Sequence, residues 1–264
     1  MILAITLFAL YSASAWVMLR SVSKPRLEPL AWALTLLAIV AHSDAIAQHM
    51  MHSVGPFSIG LLEAISMLAW TLGVLACFIA IERQNRALGA ILLGIAACGA
   101  AVTGTGHTFA EDAPPGWELT AHILLSMGAA ALLFAAAVTA LLLVFLDRRL
   151  RARRIAALPS MLPPLDALEK VMFRLIGAGF ALLTLALLTG FIFVTNLRAQ
   201  HLEHKTILSI IAWVLFGVLL IGRVRYGWRG RSAVRWTLSG FGVLVLAYFG
   251  SKFVLEYILG RHWG

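Results

Sequence analysis

Residues 118–146 read ELTAHILLSMGAAALLFAAAVTALLLVFL, and residues 147–154 read DRRLRARR. The first stretch carries Glu118 and His122 as its only ionisable side chains. It exceeds the roughly 20 apolar residues that a helix needs to cross a bilayer. In hydrocarbon the backbone must bond to itself, so the segment has to be a helix. The switch to Arg148, Arg149, Arg151, Arg153 and Arg154 marks where the chain returns to water.

Working outward, comparable runs recur along the chain. They cover Ile2–Leu19, Pro29–Ala47, Ser58–Ile81, Ala87–Thr105, Glu118–Leu146, Val171–Asn196, Thr206–Gly222 and Ala233–Leu259. Of 264 residues 61% are apolar, which supplies about eight spans. Charged residues make up 12%, about half the usual share in a soluble domain. Mean hydropathy is +0.91. These values exclude a soluble globular domain, a disordered chain and a secreted disulfide scaffold. The expectation is all-α: a polytopic membrane helical bundle of about eight transmembrane helices, one integral-membrane domain over 1–264. Residues 147–170 form a basic connection. Within it Leu162–Lys170 is expected to form a short interfacial helix started by Pro163-Pro164.

Lys and Arg orient the bundle. The first connection holds Arg20, Lys24 and Arg26, and the third holds Arg83 and Arg86. The fifth adds Lys170 and Arg174 to its five arginines, and the seventh holds Arg223, Arg225, Arg229 and Arg231, then Arg235. Basic residues concentrate on the cytoplasmic side, so alternate connections face inward and both termini outward. The net charge of +9 is then a topology signal with some attraction to anionic lipid, not a nucleic-acid footprint. Met1–Leu19 reads as a span and not a cleaved signal peptide, because its positive charge follows the apolar run.

Two cysteines, Cys77 and Cys98, lie inside apolar runs without a CxxC pair, so neither a thiol redox motif nor a cysteine zinc site is expected. No nucleophile elbow, HExxH, Walker loop or dinucleotide fingerprint occurs. Nothing points to an enzyme with its own nucleophile.

All eight histidines fall in the outer half of this topology. Neutral His is not sorted by the positive-inside rule, so chance gives this about once in 250. His42 in the second span and His122 in the fifth lie near the outer end of their helices. A membrane-embedded His is a functional candidate by default, and imidazole is the common protein ligand of haem iron. Two such residues on neighbouring helices would flank a non-covalent, b-type haem, and Lys205 or Arg198 would meet its propionates. The plainer reading is that each His hydrogen-bonds a neighbouring helix. Glu63 is either an acceptor that orients a ligand His or a protonated packing residue.

Several motifs carry a resemblance. Trp117-Glu118-Leu119-Thr120-Ala121-His122 followed by Ser126, and Pro56-Phe57-Ser58 through Leu62-Glu63-Ala64 to Trp70, are similar to stretches of the cytochrome c assembly proteins (the CcsA/CcmC/HemX-like group). His204-Lys205-Thr206-Ile207-Leu208-Ser209, Ala212-Trp213, Gly222-Arg223, Tyr226-Gly227-Trp228-Arg229-Gly230-Arg231 and Ala247-Tyr248-Phe249-Gly250-Ser251 resemble the YpjD-type inner-membrane branch of that group.

The resemblance implies a multi-pass protein of the bacterial inner membrane that handles haem as an accessory factor in cytochrome c biogenesis, with apocytochrome c or another biogenesis subunit as partner. His122 matches the external haem His. The WxxWD signature is absent, Glu203-His204-Lys205 stands near its place, and Gly222 replaces a family His. The ligand set therefore shifts to His42 and His122, with His204 as a further external candidate. A b-type, quinol-linked electron-transfer protein and a divalent-metal permease are the rival readings.

Overall fold

The computed structural model describes residues 2–52, 61–104, 117–151, 163–193 and 203–247. They form eight helices and no strand: α1 (Ile2–Ser23), α2 (Glu28–His52), α3 (Leu61–Ile81), α4 (Arg86–Ala100), α5 (Trp117–Arg151), α6 (Leu165–Phe193), α7 (Glu203–Tyr226) and α8 (Gly230–Val245). Single turns of 3₁₀ helix at Pro25–Leu27 and Arg83–Asn85 lead into α2 and α4. Six segments are long and apolar enough to cross a membrane: Ile2–Ser23, Pro25–Gln48, Leu61–Ile81, Trp117–Arg151, Leu165–Ile192 and Thr206–Tyr226. The protein is thus an all-α, multi-pass membrane protein.

Three boundaries differ from the sequence reading. α2 continues through His52, so His49 and His52 belong to a helix and not to a connection. Pro163-Pro164 does precede a helix start, and Leu168 N–H donates to the Pro164 carbonyl at 3.1 Å. That helix runs unbroken to Phe193 instead of stopping as a short interfacial piece. α4 ends at Ala100 after 15 residues, about 22 Å of helix. It is rich in Gly and Ala and buried on most of its surface. A helix shielded by its neighbours has no need to match the hydrocarbon thickness.

The chain divides into two compact units, Met1–Pro114 with Arg149–Leu168, and Pro115–Arg148 with Glu169–Gly264. In the first, α1 to α4 pack along seams of small and polar residues. α1 buries Ala4, Leu7, Tyr11, Ser14, Met18 and Ser21. α2 buries Ala31, Thr35, Ala38, His42 and Ala45, and α3 buries Ser66, Ala69, Gly73, Ala76 and Ala80. The alternating three- and four-residue spacing keeps each seam on one helix face. Lipid is as apolar as leucine, so small residues that let backbones approach hold such helices together better than large ones. Thr35 donates to the Ala31 carbonyl at 2.7 Å, which leaves its oxygen to accept from Ser14. At the end where α2 and α4 begin, the buried Arg86 forms a two-pronged pair with Glu28, one bond at 3.0 Å.

The second unit contains α5 to α8. Phe134 of α5 meets Phe241 of α8 edge-on at 5.4 Å. Phe180 of α6 stacks on Trp213 of α7 at 5.4 Å, and the Trp213 indole N–H donates to Thr184 at 2.8 Å. Glu169 near the start of α6 accepts from Arg223 near the end of α7 at 2.8 Å. Basic residues gather at this end, as they do where α2 and α4 begin in the first unit.

Gly73 shows how little slack the seams have. A Cβ there would lie 2.8 Å from the ring of Tyr11, whose side chain is fully buried. Gly73→Ala should cost about 1–3 kcal/mol through overpacking, read as a lower unfolding temperature in detergent. An unchanged midpoint would mean that α1 and α3 do not meet here.

Candidate functional site

His42 sits on the buried seam of α2, 0% exposed. Tyr11 Oη of α1 lies 3.3 Å from its Nδ1. Ser66 Oγ of α3 and Thr103 Oγ1, just past α4, lie 3.0 and 3.1 Å from its Nε2. Ser66 and Thr103 also bond each other at 2.8 Å. Both ring nitrogens are thus engaged by hydroxyls from three other segments, and the Tyr11 ring packs edge-on against the imidazole at 5.7 Å. This is the plainer of the two readings for a membrane histidine: a polar hub whose members satisfy one another.

Glu63 stands in the first turn of α3, half-buried, one turn before Ser66. Hydroxyls meet both ring nitrogens of His42. Sequence reasoning did not single out Tyr11, Ser66 or Thr103. The three- and four-residue spacing of small and polar residues in α1 to α3 was the available signal.

His122 lies in the second unit, half-buried in the second turn of α5. Its Nδ1 is 3.1 Å from Thr189 Oγ1 of α6. The Thr189 hydroxyl donates within its own helix, to the Leu185 and Ala186 carbonyls at 2.9 and 3.0 Å. A hydroxyl whose one proton goes to those carbonyls is an acceptor, which suits the Nδ1–H tautomer of the ring. The Ala186 carbonyl also accepts a hydrogen bond from the His122 ring. Gly190 flanks the ring from the same helix; a Cβ there would lie 3.0 Å from His122 Cε1. Thr189 was invisible to the sequence reading, because 67 residues separate it from His122.

Helix register locates α7 relative to this pair. Glu169 stands opposite Arg223, and Thr184 opposite Trp213. The two helices are therefore antiparallel, and equal rise places the backbone opposite Thr189 at about 203–208. His204 and Lys205, in the first turn of α7, thus lie near the level of His122 in the same unit. His42 belongs to the other unit. His107, His201, His262 and Arg198 lie outside the described residues. No group of three or more His, Cys, Asp or Glu able to hold a metal ion occurs among the described residues.

Gly222, which stands where the resemblance leads one to expect a His, has its own explanation. The Trp228 indole fills the space over it, and any Cβ would strike the ring. Trp228 N–H donates to the Gly222 carbonyl at 3.1 Å, and its ring stacks on Trp236 at 5.5 Å.

The chain is similar to several known proteins. It is 41% identical to the inner membrane protein YpjD of Escherichia coli over 147 residues, 56% of this chain and 55% of that one. An uncharacterised 28.8 kDa protein of Azospirillum brasilense is 36% identical over 163 residues, 58% of this chain and 60% of its own length. The cytochrome c biogenesis protein CcsA of Synechococcus elongatus is 32% identical over 94 residues, 35% of this chain and 29% of that one. The chain thus spans little more than half the length of the first two of these relatives and less than a third of the third. No solved structure matches. The model of the cytochrome C assembly protein family matches residues 58–259, a stretch that holds α3 to α8 together with His122 and Thr189, and the chain belongs to that family.

Proposed function

We propose that the protein handles haem in cytochrome c biogenesis, in the bacterial inner membrane, as an accessory factor that holds and passes on its cargo. The observation that carries this reading is the His122–Thr189 pair. A ligand histidine needs a free nitrogen of the correct tautomer, and its other nitrogen is held by a neighbouring acceptor. On this reading Thr189 and the Ala186 carbonyl orient the His122 ring and Nε2 meets the iron, on the end of the unit opposite the arginine-rich turn. Haem would be held there without a covalent link, since neither Cys77 nor Cys98 belongs to a CxxCH attachment motif. The cargo supplies the iron. The chain supplies the imidazole, its orientation and an apolar helix surface.

His204 is the second ligand candidate in this proposal. It shares a unit and a level with His122, and Lys205 beside it offers a cation for a propionate. Glu63 stays a packing or orienting group of the first unit. His42 would have to exchange the Ser66 and Thr103 hydroxyls for iron, so its proposed task is to brace α1 to α4. Apocytochrome c or another biogenesis subunit is the proposed acceptor.

The test is the absorption spectrum of the protein purified in mild detergent from haem-replete cells. A haem band is expected. His122→Ala should lower bound haem at least several-fold. Thr189→Val should weaken it, while Thr189→Ser, which keeps the acceptor oxygen, restores it. Wild-type absorbance in His122→Ala would reject the assignment.

His42→Ala gives a separate readout. It leaves three buried hydroxyls short of a partner, at about 1–3 kcal/mol. The unfolding temperature should fall while the haem band of the folded fraction persists. Loss of the band at an unchanged unfolding temperature would instead make His42 a ligand.

A further inference from the structure

At the opposite end of the second unit, four helix ends meet: the end of α5, the start of α6, the end of α7 and the start of α8. Their mutual position is set by side-chain bonds. Arg223 and Arg229 both donate to Glu169 Oε1, at 2.8 and 3.0 Å. Arg223 also donates to the Trp228 carbonyl at 3.2 Å and lies over the Phe173 ring at 4.5 Å. Arg231 approaches Asp147 of α5 at 3.7 Å. The turn between α7 and α8 is shaped by Gly227 and Gly230, both in the left-handed region at φ 65° and 57°. It is clamped by the Trp228–Trp236 stack and by the contact of Trp228 with Gly222. This turn is a braced platform.

The charge on it is one-sided. Arg148, Lys170, Arg174, Arg223, Arg225, Arg229, Arg231 and Arg235 stand against Asp147, Asp166 and Glu169. Arg225 and Arg235 are exposed and form no ion pair among the described residues. Beside them lie exposed apolar and aromatic groups: Val224 is 85% and Tyr226 76% exposed. In water such exposure would be unfavourable. At the end of membrane spans it fits the boundary between acyl chains and headgroups. A guanidinium fits a phosphodiester two oxygens at a time, and basic pockets between spans take anionic headgroups.

We infer that the braced turn at residues 223–235, with the start of α6, is a binding site for the headgroup of an anionic phospholipid. The neighbouring apolar groups favour a lipid over a free anion, which has no acyl chain to bring to Val224 and Tyr226. Glu169 and the tryptophan stack hold the turn in shape; Arg225 and Arg235 meet the lipid phosphate. The inference is independent of the haem reading, because it uses the other end of the unit.

The experiment places the purified protein in bilayer discs of phosphatidylcholine, with or without cardiolipin, and follows thermal unfolding. Cardiolipin should raise the midpoint by several degrees. The double variant R225Q/R235Q should unfold like the wild type in phosphatidylcholine and lose most of the cardiolipin increment. Native mass spectrometry gives a second readout: wild type should retain cardiolipin through delipidation, and the variant should retain several-fold less. An increment that survives in the variant would overturn the site, as would equal lipid retention in the two proteins. An equal increment from inorganic phosphate alone would overturn the lipid assignment.

Discussion

Within hydrocarbon no water is present to complete a hydrogen bond, and this constraint shapes nearly every polar contact in the protein. A hydroxyl or imidazole on a membrane helix must find its partner in the same chain. Ser14, Thr35, His42 and Ser66 therefore lie on the seams of α1 to α3, and exposed Thr6 bonds to its own helix. Ser14 meets Thr35 across one seam, and His42 gathers Tyr11, Ser66 and Thr103 across three. Because lipid gives no hydrophobic drive for helices to associate, these bonds and the close approach of Gly and Ala surfaces carry the specificity of packing.

The two intramembrane histidines meet different kinds of neighbours. At His42 both nitrogens face hydroxyls that have few other options, so the ring is locked into a network. At His122 the ring meets the Thr189 hydroxyl, which also bonds its own helix, and the Ala186 carbonyl. A network in which every member is satisfied gives rigidity. The difference lies in which side chains each ring meets.

The second unit has two chemically distinct ends. One bears imidazole and the start of α7; the other bears arginines tied to Glu169 and Asp147. The antiparallel course of α5 to α8 produces this division. Successive helices carry chain segments to the same level from opposite directions, so residues far apart in sequence share an end. Gly222 and Trp228 belong to the arginine end, where a ring in place of a side chain at position 222 completes the clamp.

The amino-acid pattern alone was enough to define an all-helical membrane protein, most of its spans, the sites of its basic turns and the family resemblance. Those properties follow from composition and from local sequence, because bilayer thickness and backbone hydrogen bonding act on each segment separately. Helix ends were less legible. α4 stops early because its neighbours bury it, and α6 continues through residues 165–170 because nothing breaks it after Pro164. The partners of His42 and His122, the division into two units and the bracing of the arginine-rich turn were decided by tertiary structure. Each depends on which helix faces meet, and side chains 31 or 67 residues apart come together only when whole helices pack.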